Sequence, residues 1–150
     1  MARYKNAKRE HFVQPYIPGV DEPGIEWLKL GTYIETIEID NNEETEDTGF
    51  YDGDGSIQTD IVSVTVGYGV EGYYDAEDPA QQMLADLEFD DGEKRKIWHK
   101  RVNPQKTKEW VGKATVADLE IGGGAATEYE AFKCKISWDG KPVLTAIPVV

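Results

Sequence analysis

"IVSVTVGYGV", residues 61–70, is the clearest strand in the chain. Val62, Val64, Val66, Tyr68 and Val70 take every second position, with Ser63, Thr65, Gly67 and Gly69 between them. An apolar period of two marks a strand with one covered face. "EYEAFKCKISWDG" repeats it: Phe132, Cys134, Ile136 and Trp138 share a face, Lys133, Lys135 and Ser137 point the other way, and Asp139 and Gly140 supply a turn. Cys134 therefore reads as a small buried hydrophobe rather than a nucleophile.

Working outward, "WLKLGTYIETIEI", "KRKIWHKRV", "KEWVGKATVADLEI" and "PVLTAIPVV" are further strand candidates, separated by Gly and Pro. One helix interrupts them at about residues 78–88: Asp78 is placed to cap it, Pro79 suits its first position and Gln81 completes a capping box. Ala80, Met83, Leu84 and Leu87 form a single apolar stripe for packing on a sheet. The chain reads as mainly β, a β-sandwich or partly closed β-barrel with one flanking α-helix. A single domain over 1–150 is expected, with 1–25 a flexible N-terminal arm, 41–56 a long acidic loop and "IGGGAAT" a turn.

Charge is distributed unevenly. Residues 40–56, "DNNEETEDTGFYDGDGS", hold seven carboxylates and no cation. From Leu30 to Glu93 there are nineteen Asp and Glu and no Lys or Arg, a charge of −19 where the whole chain carries −13, so the flanks together hold +6. Two basic segments account for that excess: Arg3, Lys5, Lys8 and Arg9 near the start, and Lys94, Arg95, Lys96, Lys100 and Arg101 in "KRKIWHKR". Unlike patches on one chain fit a head-to-tail, self-associating protein. A pI near 4.5 argues against sequence-independent binding to nucleic acid or to an anionic membrane. No apolar run approaches the roughly 20 residues of a membrane span, so a soluble protein without membrane binding is expected.

Catalytic and metal-binding patterns are weak. Asp52, Asp54 and Ser56 resemble the opening of a calcium loop, but counting from Asp52 the sixth and twelfth positions are Ile57 and Ser63, where Gly and Glu are needed. The two histidines, His11 and His99, stand in no nucleophile or zinc pattern with Cys134. No enzyme activity, cofactor or metal is expected. The alternative is a β-sandwich binding module for carbohydrate or calcium, with Trp98, Trp110, Tyr73 and Tyr74 as stacking aromatics and Asp52 and Asp54 on the ion.

The order of features resembles the major tail proteins of long-tailed bacteriophages, which build the tail tube. The likeness runs from about Trp27 to the C-terminus: an early strand pair interrupted by "IEIDNNEETEDTGFYDGDGS", an alternating strand, a helix opening on "DPAQQMLADL", and "GGGAATEYEAFKCKISWDGKP" near the end. The resemblance implies a virion protein, assembled in the host cytoplasm, whose hexameric rings stack into a tube that double-stranded DNA traverses without adhering. It also implies other tail proteins as partners, such as a tape measure and a tail terminator. Residues 41–55 map onto a loop that contacts the next ring. Glu43, Glu44, Glu46, Asp47, Asp52 and Asp54 are then expected to stack against Arg3, Lys5, Lys8, Arg9, Lys94, Arg95, Lys96, Lys100 and Arg101. The small polar face of the strands is assigned to the lumen.

Overall fold

A computed structural model describes residues 3–51 and 53–147. The strands are β1 (Glu10–Pro15), β2 (Leu28–Lys29), β3 (Ile34–Ile39), β4 (Asn42–Thr48), β5 (Gln58–Thr65), β6 (Gly67–Tyr73), β7 (Lys96–Val102), β8 (Lys108–Ile121), β9 (Ala131–Trp138) and β10 (Val143–Ala146), and the one α-helix is α1 (Pro79–Ala85). Short 3-10 turns lie at Asn6–Lys8 and Gly92–Arg95. The main sheet runs β2-β1-β7-β8-β9-β6-β3, antiparallel at every pairing, and β10 continues along β8 where β9 leaves it.

This sheet curls on itself, giving the partly closed barrel of the two expected forms. Its inner face holds the Phe132, Cys134, Ile136 and Trp138 of the alternation, together with Tyr68, Val70, Val116, Ala114, Ile97 and Val13. Burial pushes the Cys134 thiol up to about 12, so the thiol is inert at neutral pH. The helix covers the core with Ala80 and Leu84. Asp78 caps it as expected by accepting from the Gln81 backbone N–H, but the capping box is not completed: Asp78 N donates to Asp75 O, and the Gln81 side chain is drawn into the core instead. Gln81 is itself fully buried and ties the helix to the sheet: its Nε2 donates to Thr32 O at 2.7 Å and Tyr73 O at 3.1 Å, and its Oε1 accepts from Asp75 N at 2.7 Å. At Gly72 the backbone of Tyr33 and Ile34 passes so close that a Cβ would run into Tyr33 O.

Three expectations need correction. Residues 10–15 are no part of a flexible arm: they form β1, inside the sheet, because His11 and Val13 alternate into the buried layer around Phe12, while Gln14 on the opposite face is buried in its two hydrogen bonds with Gly24. Residues 42–48 are a strand rather than a loop, satisfying their backbone groups against β5. The basic strand starts at Lys96, not Lys94. The stretch 61–70 also divides at Val66, and only its second half is covered: Tyr68 and Val70 are buried, whereas Val62 and Val64 are half exposed at 55% and 54%.

Candidate assembly surfaces

The strands β3 and β4 on one side, and β5 and β6 on the other, are two halves of one long hairpin. The pairing register is unchanged from Thr36↔Glu71 through Ile39↔Tyr68 and Asn42↔Thr65 to Glu44↔Ser63. The base of this hairpin belongs to the curled sheet, and its outer half, β4–β5, stands apart as a sheet of two strands. A bulge at Val62 then shifts the register to Thr45↔Ile61, Glu46↔Asp60 and Asp47↔Thr59.

Cross-strand partners share a face, so the ladder assigns every side chain. On the side continuous with the buried Tyr68 and Val70 lie Glu43 with Val64, Thr45 with Ile61, and Asp47 with Thr59. On the other side lie Glu38 with Gly69, Glu44 with Ser63, Glu46 with Asp60, and Asn42 with Thr65. Two of the outer carboxylates are matched: Lys135 meets Asp40 at 3.0 Å and Lys133 meets Glu71 at 3.3 Å. Farther out the face is anionic, and Glu46 opposite Asp60 is a like-charge pair that costs the isolated hairpin stability.

The acidic cluster read from sequence as one loop is thus split. Glu43 and Asp47 flank an exposed apolar strip of Ile61, Val62 and Val64, and Phe50, Tyr51 and Ile57 toward the tip are exposed as well. Glu44 and Glu46 face the other way. Asp54 sits in the tip turn, where its carboxylate accepts from Ser56 N at 2.9 Å and is held below the usual range by that serine. Asp52 lies outside the described residues.

The basic residues also divide. Lys96 pairs with Asp139 at 2.9 Å and Lys100 with Glu109 at 4.0 Å, and Lys100 lies over the rings of Phe12 and Trp27. Arg95 donates to the carbonyls of Glu88, Asp90 and Val116. Arg101 donates to the Tyr68 hydroxyl and lies 4.1 Å over Trp110. These four have partners inside the subunit. Arg3, Lys5, Lys8 and Lys94 are exposed, and Arg9 is half-buried. Lys106 joins the N-terminal turn to the sheet by donating to Lys8 O and pairing with Glu10, whose carboxyl it holds down.

The aromatics proposed as a stacking platform are dispersed. Trp110 lies on the inner side under Arg101, Trp98 on the outer side against Tyr16, Tyr74 stacks on Phe132, and Tyr73 meets Tyr129 beside the glycine turn. Among the described residues no three His, Cys, Asp or Glu side chains cluster to hold a metal, and no helix is long and apolar enough to cross a membrane. Sequence reading missed an open groove of about 1180 Å³ between β2 and β3, lined by Leu28, Leu30, Ile34 and Ile37. The one signal for it was the impure alternation of "WLKLGTYIETIEI".

No family model and no curated protein matches the chain in sequence. Solved structures do match in shape. A chain in the tail of an empty GTA particle, refined helically with C6 symmetry, superposes with a TM-score of 0.68 at 11% identity over 97% of this chain and 100% of that one. A chain of the native gene transfer agent virion gives 0.67 at 9% identity, again over 97% and 100%. A chain of the anti-feeding prophage cap, a tube-terminating cap, gives 0.54 at 13% identity over 98% and 95%. The chain has the tail-tube fold that the order of its features predicts.

Proposed function

We propose that this chain is the repeating unit of a tail tube, a structural virion protein whose copies close into hexameric rings that stack around a bore traversed by double-stranded DNA. The observation that carries the reading is the β4–β5 half of the long hairpin. A lone two-stranded hairpin is marginal in water, and this one exposes Ile61, Val62 and Val64 on the side continuous with the core. Such a strip is stable where a second surface covers it, each buried aliphatic side chain contributing about 1.5–3 kcal/mol. One neighbour in shape belongs to a particle tail with C6 symmetry and another to a gene transfer agent virion.

The two hairpin faces take different roles. Ile61, Val62 and Val64 dock on the next copy, with Glu43 and Asp47 meeting cations there; Arg3, Lys5, Lys8, Arg9 and Lys94 are the candidates, being free of side-chain ion pairs among the described residues. Glu44, Glu46 and Asp60, set among Ser63 and Thr65, face the bore. Fixed negative charge raises the energy of close approach by a polyanion and keeps the duplex sliding. The role is structural rather than enzymatic, and the tube is bounded by other tail proteins such as a tape measure and a terminator.

The test is negative-stain electron microscopy with light scattering over a range of protein and salt concentrations. Rings or tubes with sixfold end views, growing with concentration, are expected. A monomer that instead binds a sugar or calcium saturably would replace this reading with the binding-module one.

A further inference from the structure

Two imidazoles lie in the inner layer of the sheet, unused by the assembly surfaces. His11 on β1 and His99 on β7 are both buried, and His11 Nδ1 stands 3.1 Å from His99 Nε2. His99 stacks on Trp138 at 4.9 Å, and Tyr68 presents its edge to both histidines. On its far side, His99 Nδ1 is the buried side-chain polar atom without a hydrogen-bond partner among the described residues.

The contact needs one donor and one acceptor nitrogen, which two neutral rings provide. A proton added to the pair creates a buried cation, and a doubly protonated His99 carries an N–H at Nδ1 that has no acceptor among the described residues. The groups facing the pair do not compensate. Arg101 on β7 and Arg9 ahead of β1 are positive, the Tyr68 hydroxyl on β6 accepts from Arg101, and Trp138 on β9 is uncharged. The carboxylates of Glu35, Glu38 and Asp78 line the groove that His11 also lines, and none pairs with either ring.

We propose that the His11–His99 contact is an acid-released latch fastening the β1–β2 edge to the rest of the sheet. The topology makes this edge separable. Among the described residues β7 is the one strand that pairs with β1 along its length, while its other side meets the two-residue β2. Its release leaves the β7-β8-β9-β6 pairings whole and widens the groove toward β3.

Amide hydrogen exchange on the whole chain, corrected for the intrinsic pH dependence, tests the latch. Between about pH 7 and pH 4.5, β1 amides should lose about tenfold or more in protection while β6 and β9 amides keep theirs. In His11→Gln, which retains a hydrogen-bonding group and leaves His99 as the one titrating ring of the pair, the β1 change should shrink severalfold. Uniform loss across all strands, or an undiminished β1 response in His11→Gln, overturns the proposal. If that variant does not fold, ring resonances of the unaltered protein decide. Rings that stay neutral well below the ordinary histidine range, and protonate together with β1 opening, uphold it; titration near the ordinary value, or without β1 opening, overturns it.

Discussion

Glu43 and Glu44 are consecutive in sequence and stand on opposite faces of the hairpin, Glu43 across from Val64 and Glu44 across from Ser63. Neutralising them should therefore have different consequences. Glu43→Gln with Asp47→Asn should weaken assembly and reduce its salt dependence, because it removes charges at a contact between copies. Glu44→Gln with Glu46→Gln should leave assembly intact and make the tubes retain duplex DNA at low salt. Light scattering and a DNA pull-down on both pairs check this, and identical behaviour of the pairs contradicts the face assignment.

The apolar strip gives a sharper case. Ile61→Asp or Val64→Asp should block growth at any concentration, since a charge would then be buried between copies. Each isolated subunit should keep its stability within about 0.5 kcal/mol, as both positions are exposed there. Sedimentation, paired with urea unfolding, measures both quantities.

Gln81 should matter for stability and not directly for assembly. Gln81→Ala leaves Asp75 N, Thr32 O and Tyr73 O without their partner. A loss of about 3 kcal/mol is expected from orphaned groups worth about 1–3 kcal/mol each. The urea midpoint should fall without a change in slope.

Stability should fall with acid in two separable windows. The His11 pKa is depressed from 6.5 to about 4, chiefly by burial and then by Arg9 and Arg101, and His99 is depressed by the same kind of cause. The unfolded chain therefore takes up protons first, so stability is full above pH 6.5 and declines as pH falls toward about 4. Glu10, lowered mainly by its hydrogen bond from Lys106, acts below its unfolded value of 4.5. Unfolding free energies measured across pH should lose part of the upper window in His11→Gln, the rest staying with His99, and part of the lower one in Glu10→Gln.

Much of the fold was legible because its signals are local. Period-two alternation marked β9 and the buried half of the 61–70 stretch, and the Asp78, Pro79 and Gln81 pattern marked the helix. β1 was missed because "EHFVQP" mixes polar side chains into a strand whose buried positions include His11 and Gln14, which sequence reading treats as surface residues. β4 was missed because "NEETEDT" has no apolar residue to carry a period; its pairing with β5 defines it. The candidate site was visible as a charge imbalance and not as geometry. The ladder shows that adjacent carboxylates diverge, and side-chain ion pairs and hydrogen bonds show that Arg95, Lys96, Lys100 and Arg101 have partners within the subunit.

The most direct test of the tube reading is an electron cryo-microscopy reconstruction of the assemblies grown from the purified chain. Sixfold rings are expected, in which Ile61 and Val64 are buried against a second copy while Glu44, Glu46 and Asp60 line the bore. Assemblies that leave Ile61 and Val64 exposed to solvent, or a bore lined by other faces of the sheet, would contradict it.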